Sequence, residues 1–244
     1  MINDPYRDAD LVGLYDHDNP GGEDHAFFRA LADQIDAHLI IDLGCGTGLL
    51  TRSLARPGRT VIGVDPSRTM LNYAVGQPGS KSVAWIHGRA SGLPPTGAAD
   101  LVLCTGNAIM HVSPAELPAT LISVALALRA EGMFSFESRT PAHRAWQQWT
   151  PEATDSERVI SAGRLREWLE VVDVDDGRVV FDAHNVFPDG EHRVYTSILS
   201  FRGAEELRRE LEAVGFTDVT WAGDWHGAPV QEESRVLVFR ARRA

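Results

Sequence analysis

Short apolar runs alternate with amphipathic stretches through the first 138 residues. Leu39–Leu43, Val61–Val64, Val83–His87, Leu101–Cys104 and Met133–Glu137 read as buried strands. Between and around them, Ala26–Ala37, Leu49–Ala55, Arg68–Val75 and Pro114–Arg129 carry helical periodicity. Strands that alternate with helices, and that are apolar on both sides, predict a parallel sheet covered on both faces.

The pattern changes after Arg139. Up to Gly203 the helical period fades, and Leu165–Val174, Val179–Phe187 and Arg193–Phe201 read as strands. Asp175-Asp176-Gly177 and Pro188-Asp189-Gly190 separate them as tight turns. This predicts an antiparallel meander inserted after the fifth strand. Ala204–Val214 is then a helix, followed by strands at Val219–Trp221 and Arg235–Arg240. The expected fold is a doubly wound, mostly parallel seven-stranded α/β sheet with an antiparallel β insertion. The alternating core takes in 24–138 and 203–244, the insertion 139–202, and 1–23 forms an N-terminal segment.

Composition narrows the function. The chain has 244 residues, 43% of them hydrophobic, enough for one sizeable core. Its net charge of -11 repels phosphate backbones and argues against a nucleic acid partner. Two cysteines, Cys45 and Cys104, make neither a disulfide framework nor a zinc cage, and no metal site is expected. There is no basic-then-apolar leader and no apolar run of the ~18 residues a membrane helix needs. The expectation is a soluble cytoplasmic protein, a monomer or homodimer.

The first strand runs into Gly44, Gly46 and Gly48, then into a helix. A strand that stops at glycines and opens a helix is expected to aim backbone N–H groups at a ligand. The dinucleotide fingerprint Gly-x-Gly-x-x-Gly would place its third glycine at position 49, where this chain has Leu49. Asp42 stands two residues ahead of the first glycine, and an acid there attracts a cationic amine. Asp65 ends the second strand, where an acid can accept from both ribose hydroxyls of an adenosine. An NAD oxidoreductase is disfavoured by this spacing.

These motifs resemble the class I S-adenosylmethionine-dependent methyltransferases. IIDLGCGTG (40–48) looks like the first motif of that family, and GVDPSRTML (63–71) like the segment of the ribose acid. HGRASGLP (87–94) is similar to the adenine-binding turn, with Gly88-Arg89-Ala90 where the family usually has Gly-Asp-Ala. The change removes a carboxylate and leaves the N–H of Ala90 as the adenine contact. The resemblance implies cofactor contacts from Asp42, Gly44, Cys45, Gly46, Gly48, Asp65, Pro66, Met70, Gly88, Arg89 and Ala90. Thr105, Gly106 and Asn107, after the fourth strand, join them. Relatives with a Tyr-Asp pair like Tyr15-Asp16 fold the N-terminal segment over the cofactor.

Two residues are candidates for the chemistry. His111 lies just past the fourth strand and could take a proton from the acceptor. Tyr15 could contact the methyl region. Glu137 and Arg139 end the fifth strand; they either pair with one another or hold a polar group of the acceptor. Among the aromatics outside the alternating core, Trp146, Trp149, Trp168, Tyr195 and Trp225, some are expected to wall an acceptor pocket. The implied reaction is methyl transfer from S-adenosylmethionine to an O or N atom of a small molecule, releasing S-adenosylhomocysteine. Methylation of tRNA or protein and a non-catalytic cofactor-binding module are the alternatives.

Overall fold

The structure is a computed structural model and describes residues 4–244. The N-terminal segment forms helix α1 (Ala9–Asp18), followed by α2 (Glu23–Gln34). The alternating core runs β1 (Leu39–Leu43), α3 (Leu49–Leu54), β2 (Thr60–Asp65), α4 (Arg68–Gly76), β3 (Val83–His87), β4 (Ala99–Cys104), α5 (Leu117–Ala127) and β5 (Leu128–Arg139). After a short helix α6 (Pro151–Thr154) the insertion contributes β6 (Ser156–Ile160), β7 (Gly163–Asp175), β8 (Arg178–Val186) and β9 (His192–Ser200). Helix α7 (Ala204–Ala213), β10 (Phe216–Ala222) and β11 (Val236–Arg243) close the chain.

Seven strands form one sheet in the order β10-β11-β5-β4-β1-β2-β3. β11 is antiparallel to both its neighbours; the pairs among β1 to β5 are parallel. β1 is flanked by β2 on one side and β4 on the other, so their connections leave in opposite directions. A crevice opens at the carboxyl ends of the strands at such a switch point. Asp42 lies opposite Gly63 of β2 and Leu103 of β4, directly below that crevice.

Both faces are covered, which explains the continuous apolar runs. Phe28, Leu31 and Ala32 of α2 and Leu50 and Leu54 of α3 pack with Ile40, Leu101 and Leu103 on one face. Leu117, Leu121 and Val124 of α5 and Leu207 and Leu211 of α7 pack with Ile41, Val102, Phe134 and Phe136 on the other.

The insertion is a separate antiparallel sheet in the order β6-β7-β8-β9. Its β7–β8 hairpin turns at Asp176 and Gly177, both with positive φ (40° and 78°), as a two-residue hairpin loop requires. Buried Arg202 ties its end to the core by donating to the carbonyls of Ile109 and Val112.

Three elements were not anticipated: the single-turn helix α6, β6 and α1. β6 is an edge strand, SERVI, largely open to solvent, and it lacks an apolar face to betray it. α1 carries Gly13 and four aspartates within Asp8–Asp18 and buries only Val12. Contacts made far along the chain hold it, as described below.

Candidate active site

The loop after β1 is built from left-handed glycines: φ is 76° at Gly44, 53° at Gly46 and 72° at Gly48. They serve different ends. A Cβ on Gly48 would lie 2.3 Å from the Trp85 ring, so this glycine admits a packed indole. At Gly46 no atom lies within 4 Å of the Cβ position, so the loop surface there is open and only the backbone conformation demands glycine.

The expectation that the loop aims its N–H groups at a ligand needs correction. Gly44 and Cys45 donate to the carbonyl of Val64 at 2.8 and 3.1 Å, and Gly48 donates to that of Cys45 at 2.8 Å. Gly46 donates to Asp65 Oδ2 at 2.8 Å. These donors are already satisfied inside the chain; what the crevice offers is acceptors. Asp42 is 1% exposed; its Oδ2 accepts from Thr51 at 2.6 Å, and its Oδ1 has no partner. Glu137 is 2% exposed; Oε1 accepts the Asn107 N–H at 2.8 Å, and Oε2 has no partner. Asn107 Oδ1 is also unpartnered. Burial pushes the Asp42 carboxyl up to about 6, against the opposing hydrogen bond from Thr51. Burial pushes Glu137 up to about 8, against the bond from Asn107. Leaving a buried acceptor without a donor costs about 1–3 kcal/mol, so the crevice favours a ligand rich in donors or positive charge.

Asp65 holds the loop as well as facing the crevice. Its Oδ1 accepts the Ser67 N–H at 2.7 Å while Oδ2 accepts from Gly46, and burial raises its pKa. The Gly88 N–H donates to the Asp65 carbonyl at 3.0 Å, and Met70 and Ala90 are both buried. Pro66 is exposed, with its carbonyl 3.0 Å from His87 Nε2. Arg89 is exposed at the surface. Cys45 is half-buried, and burial holds its thiol protonated.

After β4 the chain turns through Thr105, Gly106 (φ 64°) and Asn107 (φ 59°) into a 3-10 turn, Ala108–His111. His111 Nε2 lies 3.3 Å from the Tyr6 hydroxyl, and the two rings meet edge-on. Desolvation, against the opposing pull of Asp4, lowers the His111 pKa from its ordinary value and favours the neutral imidazole, although the residue keeps solvent access. Tyr15 meets Tyr6 edge to face, at a ring-centroid distance of 6.3 Å. Burial, with Asp65, Asp16 and Glu137 nearby, raises the Tyr15 pKa, so its phenol is a donor and not a base. Tyr6 belongs to the site and was missed in the sequence: nothing in its local pattern sets it apart from a surface tyrosine.

The N-terminal segment is pinned across the loop. Thr47 donates to Asp16, Ser67 to the Tyr6 carbonyl, and Thr69 to the Arg7 carbonyl at 3.1 Å. On its other side it is held by the insertion: Arg193 and Tyr195 both donate to Asp8, and Arg158 holds Asp18, with Nη2 to Oδ2 at 2.9 Å.

The aromatics divide. Trp149 packs on Phe181 of β8 and Trp146 on Phe201, with centroids 4.7 and 4.5 Å apart, forming a wall beside the end of β5. Trp168 alternates with inward-facing Glu167 and Leu169, so it faces outward, stacked on His184. Trp225 packs on Phe27 and Phe28 of α2, and Tyr195 is buried against Asp8. Expected pocket roles for these last three are replaced by packing and tethering.

Comparison with known proteins agrees with this geometry. Residues 40–132 match the family model described as a methyltransferase domain. An uncharacterised methyltransferase of Synechocystis sp. is 33% identical over 117 residues, 47% of this chain and 52% of that protein. The glycine N-methyltransferase of Rattus norvegicus is 26% identical over 159 residues, 57% and 54% of the two chains. The chain thus spans about half the length of these curated relatives. Among solved structures, an S-adenosylmethionine-dependent methyltransferase from Clostridium acetobutylicum superposes with a TM-score of 0.78 at 16% identity, covering 96% of this chain and 98% of the other. Residues 40–132 thus carry the match to the methyltransferase-domain model, and the chain has the fold of the class I S-adenosylmethionine-dependent methyltransferases.

Proposed function

We propose that this protein transfers a methyl group from S-adenosylmethionine to an O or N atom of a small molecule. The observation that carries the reading is the acceptor-rich crevice: the loop N–H groups of Gly44, Cys45, Gly46 and Gly48 are satisfied internally, while buried Asp42 and Glu137 each keep a free oxygen. A pyrophosphate needs donors and finds none on those residues. A cation with an amine and two ribose hydroxyls supplies the donors that the crevice lacks.

The residues present therefore fit S-adenosylmethionine. Asp42 faces its amine, Asp65 its ribose hydroxyls, Met70 and Ala90 its adenine, with Gly46 leaving room at the loop. Thr105, Gly106 and Asn107 shape the side where the acceptor enters. When bound, it supplies an electrophilic methyl group on a sulfonium. The chain contributes position and exclusion of water. The N-terminal segment and the insertion wall the crevice, and neutral His111 takes the acceptor proton, with Tyr6 fixing its ring. The β sheet of the insertion selects the acceptor. A small acceptor is supported by that walled entrance and by the charge of -11, which disfavours RNA.

The test is turnover. Purified protein with S-adenosylmethionine and a panel of small amines and alcohols should release S-adenosylhomocysteine in step with methylated product. Product only on tRNA or protein substrates would refute the small-molecule reading.

A further inference from the structure

Arg139 ends β5 beside the crevice, exposed to solvent, next to the buried carboxyl of Glu137. The two arginines that tether the insertion to α1 and its cap each hold carboxylates: Arg158 holds Asp18 and Glu167, and Arg193 holds Asp8, Asp10 and Glu191. The Arg139 guanidinium has no carboxylate, hydroxyl or carbonyl accepting from it among the described residues. The nearest acid in sequence, Glu137, keeps Oε2 unpartnered, so the two do not pair. What Arg139 does have is an aromatic platform: its Cζ lies 5.9 Å from the centroid of Trp149. Its own N–H contacts Met110 Sδ at 3.4 Å, which places the residue beside the 3-10 turn that carries His111.

Resting on the methyltransferase reading, we infer that Arg139 is the anchor for a carboxylate on the methyl acceptor. A guanidinium presents a planar fork of N–H donors that matches a carboxylate bidentately. Trp149 fixes the plane of the fork and screens one of its faces. The guanidinium is open to solvent and so within reach of an incoming anion, and partial desolvation lowers its pKa from the ordinary arginine value. A single guanidinium beside buried Glu137, in a chain of net charge -11, balances a monoanion and not a phosphate dianion. The acceptor class is thus an organic carboxylate with its nucleophilic O or N atom held near His111.

The test uses the full chain saturated with S-adenosylhomocysteine. Acetate, benzoate, glycine and phenylalanine are titrated by calorimetry, each against its carboxamide, with phenyl phosphate as a further arm. At least one carboxylate should bind ten-fold or more tighter than its amide. Arg139→Gln should abolish that preference, Arg139→Lys should retain part of it, and both should bind S-adenosylhomocysteine within two-fold of the parent chain. Equal affinity for acid and amide, a preference that survives in Arg139→Gln, tighter binding of phenyl phosphate, or no binding of any probe overturns the inference while leaving the cofactor reading intact. Failure to bind S-adenosylhomocysteine overturns both.

Discussion

Arg193 of the inserted sheet reaches Asp8, the N-cap of α1, with Nη1 2.9 Å from Oδ2. The same carboxylate accepts from the Tyr195 hydroxyl and caps the helix through the N–H groups of Asp10 and Leu11 at 2.9 and 3.4 Å. α1 is itself tied to the glycine loop through Asp16 and Thr47. One helix therefore links the insertion to the loop. Asp8→Ala should destabilise the fold by about 1–3 kcal/mol in urea unfolding, through loss of a cap and of charge-assisted hydrogen bonds. Asp8→Asn keeps the cap and should cost less. Burial opposes ionisation of Asp8, but bonds from Tyr195, the Asp10 N–H and Arg193 prevail and hold its pKa below the usual value. Its contribution is therefore present above the unfolded-state pKa of about 4 and is lost as pH falls through the lower folded value.

Asp42 behaves in the opposite sense. Its folded pKa, raised to about 6, favours the protonated form, so in the free protein its contribution to stability declines as pH rises from about 4 through 6. A cationic ligand needs the carboxylate. Affinity for S-adenosylmethionine should therefore increase between pH 5 and pH 7, approaching ten-fold per unit where Asp42 must lose its proton on binding. Asp42→Asn should flatten that dependence and weaken binding at pH 7. Calorimetry across this range is the check; an unchanged slope in the variant would remove Asp42 from the amine site.

Neutral His111 should act as the base that deprotonates the acceptor. His111→Ala should lower turnover by roughly 10²–10⁴-fold with cofactor affinity little changed. The parent enzyme should gain activity with rising pH and level off by neutrality, because the imidazole pKa lies below its ordinary value of about 6.5. His111→Gln keeps a hydrogen bond to Tyr6 but cannot take a proton. Full activity of the glutamine variant at every pH would make His111 a positioning residue only.

The core was legible because its strands are buried on both faces and punctuated by glycine. Leu39–Leu43 and Gly44 to Gly48 announce a strand, a loop and a helix without help from the rest of the chain. The hairpins were legible from Asp176-Gly177. What escaped depends on distant partners. α1 is held by residues 158 to 195, and no local period announces that. β6 is an exposed edge strand. The N–H groups of Gly44, Cys45 and Gly46 looked free in the sequence because their acceptors, Val64 and Asp65, approach only when β2 pairs with β1. The relation of Glu137 to Arg139, open in the sequence, resolves in the structure into a buried carboxyl and an exposed guanidinium that do not pair.

The central claim is that the crevice over Asp42, Gly46 and Asp65 holds S-adenosylmethionine, and titration calorimetry of the purified chain tests it most directly. S-adenosylhomocysteine should bind and NAD should not. Asp65→Ala should weaken S-adenosylhomocysteine by about 1.5–3 kcal/mol, the value of hydrogen bonds to a charged partner. Gly46→Val should abolish binding, because a branched side chain enters the open space above the loop at a φ of 53°. Binding of NAD in preference to S-adenosylhomocysteine, or unchanged affinity in a folded Gly46→Val variant, would contradict the account.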